Sequence, residues 1–174
     1  TLMTALAVLA LVSCSRQADQ SVHQSMYDLN MPIIQTKYTA DPSPIVIGDT
    51  LYLYTSHDDD HGENFIMKDW LLYTTTDMVN WQDRGAVASL RDFKWYKNNN
   101  GAWAQQVVER NGKYYMYFPL KDRNDIFRLG VAISDKPEGP FVPQPDPVRG
   151  SYSIDYAVFE EDGVYYLYFG GLWG

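Results

Sequence analysis

The sequence predicts an all-β fold of β-propeller type. Three observations carry that prediction: a hairpin unit that recurs three times, aromatic residues alternating at strand period, and no stretch of helical periodicity after residue 37. The recurring segments are DPSPIVIGDTLYLY (41–54), QVVERNGKYYMY (106–117) and DYAVFEEDGVYYLY (155–168). Each reads as an apolar strand, a turn with Gly beside Asp or Asn, and a strand of alternating aromatics. The turn Gly supplies the positive φ that a tight hairpin needs, and Tyr-x-Tyr spacing puts both rings on one face.

Two of these units are followed by a second hairpin of different grammar. LLYTTTDMVNWQDRG (71–85) and LGVAISDKPEGPFV (129–142) share a strand, a Ser/Thr-Asp turn, an aromatic and a further strand. Two hairpins make four antiparallel strands, which is one propeller blade. The turn glycines at 48, 112 and 163 are spaced 64 and 51 residues apart, consistent with blades that carry loop insertions. A β-sandwich would also be built from alternating strands, but it does not require a repeated two-hairpin unit. Two blades and the first hairpin of a third are therefore expected, about two and a half blades in all.

Composition narrows the function. Hydrophobic residues make up 45% and charged residues 21% of the 174, ordinary globular usage that disfavours disorder and coiled coil. The net charge is −8 and no Lys/Arg block occurs, so nucleic acid is not an expected partner. Aromatics reach 15%, serving both sheet packing and sugar stacking.

The N-terminal 13 residues, TLMTALAVLALVS, have the length of a signal-peptide apolar region and are too short to span a bilayer. They precede Cys14, the only cysteine, and LVSC (11–14) resembles a bacterial lipobox, with Cys14 as the lipidated residue. The expected organisation is signal peptide at 1–13, lipidated Cys and polar tether at 14–37, and the propeller domain at 38–174. The expected location is outside the cytoplasm, lipid-anchored to a bacterial membrane or cell surface. A single Cys leaves no disulfide framework. The absence of an initial Met and basic region, and a final aromatic strand with nothing to pair it, lead us to expect sequence beyond both ends.

In a propeller the first strand of each blade lines the central funnel, so equivalent positions converge. Asp41 and Asp155 occupy the same repeat position, and Gln105 or Gln106 takes it in the second unit, close to Trp103. Converging carboxylates are what glycosidic bond cleavage needs, one to activate water and others to protonate or tune. The HDDDH run at 57–61 does not follow calcium-loop spacing and reads as a solvated acidic loop, with no metal site assigned. His57 or Asp58 is placed as a contact to a substrate hydroxyl, and Trp81 and Phe141 are read as structural. Glu160 and Glu161 are expected in a hairpin turn.

The segments ADPSPIVIGD (40–49), DMVNWQDRG (77–85), WAQQVVERNGKYY (103–115), SDKPEGPF (134–141) and IDYAVFEEDG (154–163) together resemble glycoside hydrolase family 43, in order across 38–174. The resemblance implies a five-bladed β-propeller and inverting removal of arabinofuranosyl or xylosyl units from arabinoxylan- or arabinan-type glycans. It implies Asp41 as general base and Asp155 as the residue that orients the acid and modulates its pKa. The general acid would be a Glu of a later blade, beyond residue 174, so this chain alone is expected to be inactive. Tyr156 stands where the family usually has Pro. Trp103 matches the aromatic of blade two that lines the cleft. No cofactor is required, and a structural calcium ion in the channel stays open. Rival readings are a fructan-cleaving five-bladed enzyme, which usually carries Asn-Asp-Pro-Asn at the first Asp, and a non-catalytic glycan-binding surface lipoprotein.

Overall fold

A computed structural model describes residues 32–96 and 100–171. Cys14, the lipobox and most of the tether lie outside the described residues. The expected hairpins all form. Strands β1 (Tyr38–Ile47), β2 (Thr50–Asp58), β3 (Met67–Thr75) and β4 (Gln82–Ser89) build one antiparallel sheet in sequential order. Strands β5 (Gln106–Arg110), β6 (Lys113–Lys121), β7 (Phe127–Ser134) and β8 (Val142–Pro143) build a second, and β9 (Ile154–Glu161) pairs with β10 (Val164–Gly170). Among the described residues the only helical element is one 3-10 turn at Leu90–Asp92, capped by Ser89.

Local chemistry explains where the chain reverses. Asn111-Gly112 and Asp162-Gly163 hold consecutive positive φ values, the requirement of a type I′ turn, which only Gly and short polar side chains meet at low cost. The second hairpin of the first sheet turns on Asp77 instead. Its carboxylate accepts the backbone N–H groups of Val79 at 2.9 Å and Asn80 at 2.7 Å, and those donors hold it well below the usual carboxylate range. Glu160 and Glu161 belong to the end of β9 rather than to the turn, because the two-residue loop Asp162-Gly163 lets pairing continue to Glu161↔Val164.

The blades meet through an aromatic core. Trp70 of β3 packs on Phe118 of β6 with ring centroids 4.9 Å apart, and Phe93 from the β4–β5 connection closes on the same Phe118 at 4.7 Å. Phe141, read as structural, is buried edge-on against Tyr54, whose hydroxyl donates to the Pro137 carbonyl at 2.6 Å. The inner strands are also tied directly. Val107 N–H of β5 donates to Ser43 Oγ of β1 at 3.4 Å. Gln106 of β5 grips Val158 of β9 with both ends of its amide, accepting the N–H at 2.5 Å and donating to the carbonyl at 3.3 Å.

Phe118 can lie in this core because its cross-strand partner is Gly130. A Cβ at position 130 would come within 2.1 Å of the Phe118 ring, and the ring is hemmed in by Trp70 and Phe93. Gly130→Ala is therefore expected to lower unfolding free energy by about 1–3 kcal/mol through overpacking, read by urea denaturation, with Phe118→Leu in the same chain recovering part of the loss.

Candidate active site

Asp41 and Asp155 share one backbone device. In the β1–β2 ladder, Ala40 faces Ser56 and Ser43 faces Tyr54, so β1 spends three steps where β2 spends two. In the β9–β10 ladder, Ile154 faces Gly170 and Ala157 faces Tyr168, the same count of three against two. The extra residue is a β-bulge, which bends the strand and re-aims a side chain out of the regular pleat. At each bulge the Asp is left-handed, with φ of +50° at Asp41 and +56° at Asp155. Asp tolerates that region better than most residues, yet holding a non-Gly residue there still costs on the order of 1–3 kcal/mol. Pro42 follows the first Asp and Tyr156 the second, so the bulge, not the proline, is what the two positions have in common.

Neighbouring groups hold and tune the pair. Ser56, fully buried, donates its hydroxyl to Asp41 Oδ2 at 2.8 Å. Gln105 reaches the Asp41 carbonyl with its Nε2 at 3.5 Å, while its own Oε1 is buried without a hydrogen-bond partner. The sequence-level choice between Gln105 and Gln106 thus resolves into two jobs: Gln105 faces Asp41, and Gln106 clamps Val158. The Asp155 carboxyl is raised above the ordinary aspartate value, first by loss of surrounding solvent and second by the negative charge of Asp41. An ideal Cβ at Gly171 would lie 3.0 Å from Asp155 Oδ2, so a side chain there would crowd the carboxylate. Tyr156 turns inward and donates its hydroxyl to the Ser153 carbonyl at 3.0 Å, anchoring the backbone beside Asp155.

His57 and Asp58 end β2 on the same side of the blade as Asp41, facing Thr39 and Tyr38 across the ladder. His57 Nδ1 lies 2.7 Å from Asp69 Oδ1, so its ring is oriented by β3. Trp103 packs at 5.0 Å from Phe127 and 6.2 Å from Phe65, and with them lines a cleft of about 380 Å³ that Asn100, Glu63 and Lys121 also border. Its indole N–H is buried without a partner. Trp103 therefore serves both packing and cleft wall. Ser56 and Asp69 escaped sequence reasoning. Their only signal was a register in which Ser56 falls opposite Ala40, beside the bulge.

Among the described residues no cluster of three or more His, Cys, Asp or Glu side chains could hold a metal ion.

The sequential four-stranded antiparallel sheets are blades of a β-propeller, and comparison with known proteins agrees. The model of the glycosyl hydrolases family 43 matches residues 29–174, and the chain belongs to that family. It is 50% identical over 152 residues to a xylosidase/arabinosidase of Bacteroides ovatus, covering 82% of this chain and 46% of the relative. A xylosidase/arabinosidase 43A of Humicola insolens is 46% identical over 154 residues, with the same coverage. A solved β-xylosidase/α-arabinofuranosidase from a compost metagenome, in complex with xylotriose and in a calcium-free form, superposes with a TM-score of 0.76 at 44% identity. That match covers 82% of this chain and 46% of the other. The chain spans about half the length of these relatives and supplies about two and a half blades of the family's five-bladed β-propeller.

Because part of the Asp155 shift comes from Asp41, Asp41→Asn should bring the Asp155 pKa down without restoring the ordinary value, read by carboxyl-carbon NMR titration. A raised folded-state pKa favours the protonated form, so its stabilising contribution is complete below the unfolded pKa and is lost as pH rises through the folded value. Asp155→Asn should therefore gain stability relative to the parent as pH rises from about 4, the ordinary aspartate value, through the raised folded-state pKa, measured as a growing difference in Tm.

Proposed function

We propose that this chain carries the base and the modulating carboxylate of an inverting glycosidase that removes xylosyl or arabinofuranosyl units from plant-type polysaccharides. The observation that carries the reading is the recurrence of one bulged, left-handed Asp at the mouth of two inner strands, with the two side chains close enough to interact electrostatically. The names of the relatives supply the sugar class.

In this mechanism Asp41, positioned by the Ser56 hydroxyl, accepts a proton from a water that attacks the anomeric carbon. A carboxylic acid on the opposite face protonates the leaving oxygen, roughly 6.5–9.5 Å from the base so that the water fits between them. Asp155 serves that acid by orienting it and, as a neighbouring negative charge, keeping it protonated. Glu160 and Glu161 do not take the acid's place. Five steps along the strand separate Asp155 from Glu160, about 17 Å, and the Glu160 carboxylate accepts the Gly163 N–H at 2.6 Å. The acid is assigned to a later blade, beyond residue 174. His57 or Asp58 and Trp103 are proposed to contact sugar, Trp103 through its ring face. The lipobox at 11–14 supports an exported enzyme anchored through Cys14.

In the protein carrying all five blades, Asp41→Ala should lower kcat on nitrophenyl xyloside or arabinofuranoside by about 10²–10⁴-fold while leaving the fold intact by circular dichroism. Added azide should restore turnover and give a glycosyl azide of inverted configuration, because a small anion needs no general base. Unchanged hydrolysis in the variant would remove Asp41 from the role. The 174-residue chain alone should release no sugar.

A further inference from the structure

The end of the blades that bears Asp41 holds a second recess that the proposed mechanism does not use. β1 starts at this end, so the β2–β3 and β4–β5 connections emerge here, and the β6–β7 connection does the same where β5 starts in the second blade. The first recess, beside Trp103, lies between the β2–β3 and β4–β5 connections and is also lined by Lys121 and Phe127, at the end of β6 and the start of β7. The second is its counterpart one blade on. It is about 410 Å³, within the usual size range of small-ligand sites, and lies between the β4–β5, β6–β7 and β8–β9 connections.

Its walls have a definite chemistry. Trp95, Pro145 and Pro147 supply flat apolar surface, and Lys94, Arg123 and Asn124 supply donors. Trp95 is half-buried, held edge-on by Phe93 at 6.4 Å, and its indole N–H is enclosed without a hydrogen-bond partner. The one carboxylate on the wall, Asp122, is already engaged. It accepts the N–H groups of Asn124 at 2.8 Å and Ile126 at 3.1 Å, and Arg128 Nε lies 3.1 Å away. These bonds close the tight turn that carries Arg123 at its exposed tip, and a backbone bridge from Tyr96 to Asp122 fastens the Trp95 segment to it. With Asp122 paired to Arg128, Lys94 and Arg123 are the cations left on the wall, with Asp146 exposed between Pro145 and Pro147 beside them.

A stacking ring beside two cations suits a sugar that carries an anion. We propose that this recess is a second carbohydrate-contacting site, which takes a carboxylate-bearing sugar such as a uronic acid branch on a neutral pentose chain. The pentose chain itself rests on the function proposed above. Lys94 and Arg123 pair with the carboxylate, and the Trp95 face takes the sugar ring.

The test compares a xylo-oligosaccharide bearing one glucuronic acid branch with the unbranched oligosaccharide of equal length. Calorimetric titration into the full-length protein in an Asp41→Asn background keeps both ligands intact. The branched ligand should bind roughly fivefold tighter at low salt. The preference should vanish in a Lys94→Ala/Arg123→Ala double variant and at about 0.5 M salt, with affinity for the unbranched ligand unchanged. Equal affinities, or a preference that survives the double variant, would overturn the proposal. Binding of neither ligand would also overturn it, and hydrolysis of neutral nitrophenyl pentosides by the protein with Asp41 intact would then show that the glycosidase reading stands without it.

Discussion

One extra residue in each of two inner strands is the constraint on which the proposed chemistry of this molecule depends. Side chains of a regular strand stand perpendicular to the sheet, toward one face or the other. A carboxylate meant for the axis of a propeller has to leave that pattern. The bulges at Asp41 and Asp155 do this by forcing the residue into the left-handed region, a local cost on the order of 1–3 kcal/mol each that the regular ladder on either side must outweigh. Ser56 then holds Asp41, while Tyr156 holds the backbone around Asp155.

Two bulges in separate hairpins would be of little use if the hairpins could shift. Their relative position is set by a short chain of contacts along the inner strands, from Ser43 to Val107 and from Gln106 to Val158. Behind these polar ties, Trp70, Phe93 and Phe118 fill the space between blades, and Gly130 leaves room for the Phe118 ring. The electrostatic influence of Asp41 on Asp155 is a consequence of this frame.

Most of the fold was legible because propeller blades are written in local signals: turn residues at fixed offsets and strand-period aromatics. Asp41 and Asp155 were legible as a repeated position. The bulges were not, since an inserted residue leaves the apolar alternation on either side intact and only the register reveals it. Ser56 and Asp69 were hidden for a related reason. They act across a strand pair, on partners 15 and 12 residues away in sequence, and nothing in their immediate context marks them. Glu160 and Glu161 were misplaced by two residues because a type I′ turn is shorter than the polar run that contains it. Trp103 divides between packing and cleft, a balance that composition alone does not decide.

The central claim is that the two bulges aim Asp41 and Asp155 at one reacting centre. The most direct measurement is a crystal structure of the five-bladed protein with an uncleavable thio-linked xylobiose. A water is expected between the Asp41 carboxylate and the anomeric carbon, hydrogen-bonded to Asp41, with Asp155 within hydrogen-bond reach of a glutamic acid at the glycosidic sulfur. A sugar bound with its anomeric carbon remote from Asp41, or regular strand geometry with negative φ at both Asp residues, would contradict it.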